Sequence, residues 1–123
     1  WNLKKGKTAD KYTEGISSPY VVTPQNAPHV TRNSHHIYPL LVDEREAMQK
    51  HLDGLKIPTL IHYPIPPYKS PPFEYLKDRA EHLLGPATNT DKFADKLLSL
   101  PMHPFLSDAQ VEYIINAINN FKA

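Results

Sequence analysis

The clearest pattern of apolar and polar positions lies near the carboxyl end of the chain. Five apolar residues recur there at helical spacing and share one face: Val111, Ile114, Ile115, Ile118 and Phe121. Ser107 stands at the N-cap position, and Gln110 three residues later completes a capping box. The pattern therefore predicts an amphipathic helix that begins after Ser107 and buries one side.

Two earlier segments also have helical patterns. Residues 2–14 place apolar side chains on one side, and Gly15 suits a helix C-cap. A second helix is expected after Asp43, which can cap it, and Gly54 is expected to supply its left-handed stop. The apolar stripe of this second helix is formed by Met48, Leu52 and Leu55.

Two short helices are predicted beyond the proline-rich stretch. The first runs from Phe73 to Leu84 and is ended by Gly85-Pro86. The second is capped by Thr90 and turns three apolar residues inward, Phe93, Leu97 and Leu98.

Strand-like runs occur in "SPYVVTP", "HHIYPLLVD" and "KIPTLIHYP". The second and third runs flank the helix after Asp43 with short links, an order typical of a βαβ crossover with parallel strands. Pro39, inside the second run, predicts a sheet edge or a bulge. The expected fold is an α+β (α/β) sandwich: a small three-stranded sheet with a βαβ unit, covered mostly on one face by four or five helices.

Composition narrows the classes of function. The 14 basic and 13 acidic residues nearly cancel, so no net field favours nucleic acid or anionic lipid. The absence of Cys excludes disulfides and thiol nucleophiles and fits a reducing compartment. No apolar run approaches the roughly 20 residues of a membrane span, and the start "WNLKKGKTAD" has no signal-peptide apolar core.

The usual catalytic motifs are missing from the sequence. It contains no GxSxG, HExxH, GxGxxG or Walker A motif. The spacing of His36, His62 and His103 does not compel a metal site, and we predict none.

His62 and Tyr63 stand apart from the other polar residues because of their position. They end the third strand-like run, and Pro64, Pro66 and Pro67 follow at once. Prolines fix φ and lower the entropy lost when a neighbouring side chain is presented to a ligand. The pattern is compatible with a ligand-facing corner and equally with a buried Tyr beside a structural His.

The stretch "PIPPYKSPP" offers an alternative function for the same region. Proline-rich segments form polyproline II helices that SH3 and WW domains bind. Under this alternative the chain is a stand-alone protein-interaction module that uses the proline-rich corner, residues 64–72.

Two longer stretches resemble a known family. "NSHHIYPLLVDEREAMQKHLDGLKIPTLIHYPIPPY" and "ADKLLSLPMHPFLSDAQVEYIINAI" are similar to the carboxy-terminal small domain of the DegT/DnrJ/EryC1/StrS sugar aminotransferases. The resemblance covers nearly the whole chain, and its most specific motifs are the "IHYPIP" and "LSLPMHP" segments. It implies residues 1–16 as a linker helix from a large amino-terminal domain and residues 17–123 as the small domain.

The resemblance also implies an activity. Family members are cytoplasmic, homodimeric, pyridoxal-phosphate enzymes of the aspartate-aminotransferase fold. They transfer an amino group from glutamate to a keto group on a nucleotide-linked sugar, for lipopolysaccharide, capsule or antibiotic sugars. The lysine that bonds the cofactor belongs to the large domain and has no match here, so this chain alone is expected to hold no catalytic or cofactor-binding residue.

The site residues implied by the resemblance lie in the proline corner. His62 and Tyr63 match the family's His-Tyr-Pro segment on the sugar-nucleotide side of the cleft, and Pro64 shapes the turn. Many relatives have a His shortly after this segment, where the present chain reads "PYKSPP". Tyr68 or Lys69 is expected to replace it, with Lys69 facing a phosphate.

Overall fold

The computed structural model describes residues 1–76 and 88–123. Within these ranges the chain forms four α-helices: α1 (Asn2–Gly15), α2 (Arg45–Gly54), α3 (Thr88–Ala94) and α4 (Asp108–Asn119). The strands are β1 (Val21–Val22), β2 (Tyr38–Val42) and β3 (Leu97–Leu100), and two 3-10 segments span Pro67–Lys69 and Pro71–Leu76. No helix in the described part of the chain is long and apolar enough to cross a membrane.

The three strands form one sheet in the order β1-β2-β3, and both neighbouring pairs are antiparallel. The predicted α+β class with a small three-stranded sheet is thus confirmed. The predicted βαβ unit is wrong, since the third strand is β3 and not the run that follows α2. That run contributes a single bridge, Leu60 to Ser99, because Pro58 and Pro64 beside it have no N–H for a ladder.

Pro39 occupies the central strand, yet its surroundings explain why it is tolerated. It lies opposite Ser99, whose backbone N–H and C=O both bond Leu60 on the other side of β3. The Pro39–Ser99 pair is therefore not a hydrogen-bonded one. On its far side β1 reaches only Leu41 and Val42, so the nitrogen of Pro39 lies beyond the end of β1, at a local sheet edge.

The helix predicted to turn Leu97 and Leu98 inward ends earlier, at Ala94. Both leucines belong to β3, where Leu98 pairs with Leu40 and is fully buried. A short apolar run has no periodicity that separates helix from strand, and pairing with β2 decides the outcome.

The core lies between one face of the sheet and three helices. Residues of β2 and β3 on that face are buried together with side chains of α1, α2 and α4: Ala9, Tyr12, Tyr38, Leu40, Val42, Met48, Leu52, Leu98, Leu100, Val111, Ile114 and Ile118. Pro39, Leu41 and Leu97 lie on the opposite face and stay partly exposed. Helices α1, α2 and α4 thus pack on one face of the sheet, in agreement with the prediction of mostly one-sided cover.

The ends of α4 and α2 illustrate a confirmed cap and a corrected one. Ser107 Oγ accepts from Gln110 N at 3.2 Å, and Gln110 Oε1 accepts from Ser107 N at 2.9 Å, which is the predicted capping box. Asp43 does not cap α2; Glu44 occupies the N-cap position, and Asp43 pairs with Lys96 Nζ at 2.6 Å.

Helix α2 also ends differently from the prediction. Gly54 is its last helical residue, and Lys56 has the left-handed conformation with φ 62°. Lys56 N donates to Asp53 O and Ile57 N donates to Leu52 O, both at 2.9 Å. These two bonds define a Schellman motif with Lys56 at the position that usually holds glycine.

Gly15 matters for helix packing rather than for a left-handed cap. A Cβ at this position would lie 2.9 Å from Ile115 Cδ1 of α4. Asn119 of α4 closes the end of α1: its Nδ2 donates to Gly15 O and its Oδ1 accepts from Ser17 N, both at 2.8 Å.

The helix predicted from Phe73 to Leu84 is only partly within the described residues. Its first residues belong to the 3-10 segment Pro71–Leu76. The remainder, with the predicted stop at Gly85-Pro86, lies outside them.

Candidate functional site

The proline corner begins where the chain leaves α2. Ile57, the residue after the left-handed Lys56, is buried and anchors the segment in the core. The chain then runs along β3 as far as the bridge, where Ser99 N donates to Leu60 O at 2.8 Å and Leu60 N donates to Ser99 O at 3.2 Å. The two bonds fix the backbone two residues before His62.

His62 is held by a side-chain contact to the sheet. Its Nδ1 lies 2.9 Å from Ser99 Oγ, and the Ser99 residue is only 4% exposed. No hydrogen bond from a described residue reaches Nε2 of the same ring, and the ring is partly exposed. His62 therefore has one nitrogen bound to the sheet and the other available to a ligand.

Tyr63 turns the chain away from the sheet. It has φ 54°, which is rare for a bulky residue, and 84% of it is exposed. Its ring centroid lies 6.4 Å from that of His62. The structure thus excludes the interpretation in which this phenol is buried in the core.

The prolines divide between surface and interior. Pro64 is exposed beside Tyr63, whereas Pro66 is buried and anchors the far side of the corner. The chain then forms the 3-10 segment Pro67–Lys69. This turn interrupts the continuous polyproline II conformation on which the interaction-module alternative depends.

Tyr68 and Lys69 meet a partner that the sequence did not indicate. Tyr68 Oη donates to Asp91 Oδ1 and Lys69 Nζ binds the same oxygen, both at 2.5 Å. Asp91 belongs to α3, so the contact ties the proline corner to that helix. Local hydrogen-bond patterns could not reveal it, because 22 or more residues separate the partners.

These contacts shift the ionisation of all three groups. The Lys69 ammonium, and next the Tyr68 hydroxyl, hold the pKa of Asp91 below its usual range. Asp91 in turn raises the pKa of Lys69 and of Tyr68. Lys69 is thus charged but already paired, and it contributes less free positive charge toward a phosphate than the sequence alone indicates.

The predicted residues form two adjacent groups on one segment. His62 and Tyr63 face outward beside β3, and Tyr68 and Lys69 are tied to α3. Among the described residues, no hydrogen bond or ring contact joins the two groups. Whether they act on one ligand stays a prediction.

A concave region lies elsewhere on the molecule. A groove of about 600 Å³ separates α1 from residues 24–39 and is lined by Asp10, Thr13, Glu14 and the adjacent His35 and His36, with other residues of that loop. None of the predicted site residues borders it. The groove also contains no lysine or arginine, so its donor set does not fit a phosphate-bearing aldehyde cofactor that bonds a lysine.

Two other histidines within the described residues differ in their surroundings. His51 Nε2 lies 3.0 Å from Ala117 O, and its ring packs on Phe121. His36 is exposed. Within residues 1–76 and 88–123, no group of three metal-ligating side chains is found.

Ser99 is the site residue that sequence reasoning missed. The only signal in the sequence was a single polar residue, Ser99, between two leucines in the segment "LSLP". That signal becomes meaningful once Leu97–Leu100 is known to be a strand beside the corner.

Comparisons with known proteins agree with the resemblance of the sequence. In Aneurinibacillus thermoaerophilus, dTDP-3-amino-3,6-dideoxy-alpha-D-galactopyranose transaminase is 31% identical over 98% of this chain and 31% of its own length. In Pseudomonas aeruginosa, UDP-2-acetamido-2-deoxy-3-oxo-D-glucuronate aminotransferase is 37% identical over 68% of this chain and 21% of its own length.

Solved structures give the same result. Streptomyces venezuelae DesV, determined in complex with a ketimine intermediate, superposes with a TM-score of 0.83 at 29% identity, covering 97% of this chain and 31% of DesV. A DegT DnrJ EryC1 StrS aminotransferase from Brucella abortus gives a TM-score of 0.80 at 25% identity, covering 94% of this chain and 30% of its own.

The chain thus spans about 31% of the length of a full relative. The model of the DegT/DnrJ/EryC1/StrS aminotransferase family matches residues 1–119. The chain therefore belongs to the DegT/DnrJ/EryC1/StrS aminotransferase family.

Proposed function

We propose that this chain is the carboxy-terminal small domain of a pyridoxal-phosphate aminotransferase that transfers an amino group from glutamate to a nucleotide-linked keto sugar. Family membership and the activities for which the relatives are named support the reaction class. The chain covers only 31% and 21% of the length of those two relatives, which supports the assignment to one domain of a longer enzyme. Residues 1–16 would be the linker helix and residues 17–123 the small domain.

Pyridoxal phosphate would be held by a large amino-terminal domain, which would supply the lysine that bonds it. When bound there, the cofactor supplies an electron sink for moving the amino group. The groove in the present chain lacks a lysine, and on this basis we propose that the 123 residues alone are inactive. We further propose a cytoplasmic homodimer that serves lipopolysaccharide, capsule or antibiotic sugar synthesis.

The role of the present chain would be to bind and orient the nucleotide sugar. The observation that carries this role is the outward His62-Tyr63 pair, in which Tyr63 is 84% exposed and has a left-handed backbone. Such strain in a solvent-exposed aromatic residue costs of order 1 kcal/mol and clusters at binding sites. Pro64 would shape the turn, and Tyr68 and Lys69, held by Asp91, would line the same wall.

Exposed apolar side chains support a contact with the large domain. Trp1, Leu3 and Phe105 are each more than 70% exposed, and the Trp1 and Phe105 rings meet edge to face at 6.1 Å. An exposed aromatic and aliphatic cluster of this kind is typical of an interface.

Substitutions at the corner in the complete enzyme test the proposal. His62→Ala and Tyr63→Phe should raise the KM for the nucleotide sugar about tenfold, since each removes a hydrogen bond to a charged or polar ligand group. The visible absorption of the bound cofactor should not change. His29→Ala, an exposed loop histidine, and Tyr113→Phe, whose hydroxyl meets Leu55 O at 3.3 Å, are the matched controls.

Two outcomes would contradict the proposal. Loss of cofactor absorption with an unchanged KM would place His62 and Tyr63 on the cofactor side. Equal effects of the site variants and the controls would mean that the corner does not bind substrate.

A further inference from the structure

Ser99 is a buried polar residue whose hydroxyl has a single described partner. The residue is 4% exposed, and its Oγ lies 2.9 Å from His62 Nδ1. Its backbone groups are already satisfied by Leu60 on the same side of β3. The hydroxyl is therefore the one part of Ser99 whose role the strand itself does not explain.

The direction of this hydrogen bond follows from the need to satisfy the hydroxyl proton. A buried O–H without an acceptor loses the free energy of its bond to water, a cost of about 1–3 kcal/mol. No other acceptor for Ser99 Oγ is found among the described residues. If His62 Nδ1 carried a proton, the Ser99 hydroxyl would have to accept, and its own proton would be left without a partner.

We propose that Ser99 is a positioning residue, which donates its hydroxyl proton to His62 Nδ1 and so fixes the tautomer that carries its proton on Nε2. The neutral ring then presents an N–H donor outward, at a fixed angle set by Ser99 and by the Leu60–Ser99 backbone bridge. This inference rests on the proposed function for the choice of ligand.

The tautomer specifies which ligand atoms His62 can bind. An Nε2–H donates and cannot accept, so its partner is an acceptor atom of the nucleotide sugar. The acceptor oxygens include those of the diphosphate, of the sugar ring substituents and of the nucleoside. A ligand group that can only donate, such as an ammonium, is excluded from this position.

The tautomer can be measured directly in the complete enzyme by two-bond ¹H–¹⁵N correlation after labelling with ¹⁵N-histidine. We expect His62 Nδ1 to show the shift of an unprotonated ring nitrogen and Nε2 that of a protonated one. In Ser99→Ala the two nitrogens should move toward the averaged shifts of a mixed-tautomer ring. Ser99→Thr keeps the hydroxyl and should restore the wild-type pattern.

Binding supplies the second measurement. The Kd for dTDP and for dTDP-glucose, measured by calorimetry, should rise roughly 2- to 10-fold in Ser99→Ala, the range expected for one lost hydrogen bond. An effect on both probes assigns the partner oxygen to the nucleoside diphosphate, and an effect on dTDP-glucose alone assigns it to the sugar. His62→Ala/Ser99→Ala should bind no more weakly than His62→Ala, because Ser99 acts through His62.

Ser18→Ala is the matched control. Ser18 is also a buried serine, 6% exposed, and among the described residues its hydroxyl accepts from Tyr20 N alone, at 3.4 Å. It should change neither the His62 shifts nor either Kd, which separates a specific effect from the general cost of removing a buried hydroxyl.

The failures of the two proposals are distinguishable. A proton on Nδ1 in the wild type, or unchanged His62 shifts in Ser99→Ala, overturns the role of Ser99 even if His62→Ala weakens binding. Unchanged affinity in His62→Ala overturns the ligand role of the corner, whatever the tautomer.

Discussion

At the scale of single residues, Tyr63 combines an unfavourable backbone with an almost fully exposed side chain. Its φ of 54° costs a residue with a Cβ roughly 1–2 kcal/mol. Burial does not offset this cost, because 84% of the residue is exposed. The hydrogen bond between its neighbour His62 and Ser99 offsets part of this cost. The surrounding chain therefore maintains the strained backbone conformation of Tyr63.

Replacing Tyr63 by Asn should therefore stabilise the protein while weakening its function. Asn tolerates the left-handed region, and we expect the free energy of unfolding to rise by up to about 1 kcal/mol. Tyr63→Ala, which keeps the Cβ strain, should show no such gain. Urea denaturation of both variants measures the effect, and a loss of more than about 1 kcal/mol in Tyr63→Asn would mean that the ring packs against the protein.

Sequence reasoning selected His62 and Tyr63 as candidate site residues but not the residues that contact the candidate site from other elements. The identity of a polar residue at the end of an apolar run is visible in the sequence. Ser99 and Asp91 act across 37 and 23 residues of chain, and contacts of that range depend on strand pairing and helix placement. Neither partner could be found before those were known.

At the scale of elements, the end of α2 shows how a local motif is recognised but misplaced by two residues. Gly54 looked like the left-handed stop, and the structure assigns that role to Lys56. The Schellman bonds and the burial of Leu52 and Ile57 fix the position of the turn. The burial of Ile57, the residue after the turn, therefore outweighs the preference of glycine for the left-handed position.

Two substitutions at this helix end test whether Gly54 or Lys56 is the left-handed residue. Gly54→Ala should stabilise the protein by about 0.5–1 kcal/mol, because Gly54 is helical and an added Cβ meets nothing within 4 Å. Lys56→Gly should also stabilise it, by about 1 kcal/mol, since it relieves the left-handed strain. If Gly54 were the left-handed residue, Gly54→Ala would instead destabilise; thermal unfolding monitored by circular dichroism distinguishes the two.

An element was predicted correctly when the residues that determine it lie close together in the sequence. Helix α4 was predicted with its cap and buried face, since the capping box and the apolar stripe lie within the 15 residues from Ser107 to Phe121. The third strand was misassigned because two apolar runs, residues 57–61 and 97–100, compete for the edge of β2. The second wins, since it pairs at four positions, whereas prolines limit the first to one bridge.

At the scale of the whole molecule, α1 is joined to the sheet by a buried pair of tyrosines. Tyr12 of α1 and Tyr38 of β2 pack with ring centroids 5.1 Å apart, and neither is more than 1% exposed. Tyr12 Oη donates to Pro101 O at 3.1 Å, and Tyr38 Oη shares a 2.7 Å bond with Thr13. The first helix is thus part of the core, through the apolar side that the sequence pattern indicated.

Burial gives this tyrosine pair a pH dependence at the alkaline end. Burial, and next the neighbouring Tyr38, raises the pKa of Tyr12 far above its ordinary value of 10.0, and burial also raises the pKa of Tyr38. A raised pKa means that the folded protein keeps the proton that the unfolded chain releases. The associated stability is complete below pH 10 and is lost as the pH rises from there through the raised pKa, at about 1.4 kcal/mol per pH unit for each such group.

Tyr12→Phe separates the hydrogen bond from the titration. At pH 7 the variant loses the bond to Pro101 O and should be less stable by about 1 kcal/mol. Above pH 10 the wild type loses stability through both tyrosines but the variant only through Tyr38, so the difference should shrink and then reverse within about one pH unit. Guanidinium unfolding at pH 7, 10 and 11 measures both effects. Parallel curves for the two proteins would mean that Tyr12 ionises as readily in the folded state as in the unfolded one, and that α1 is not sealed against the sheet.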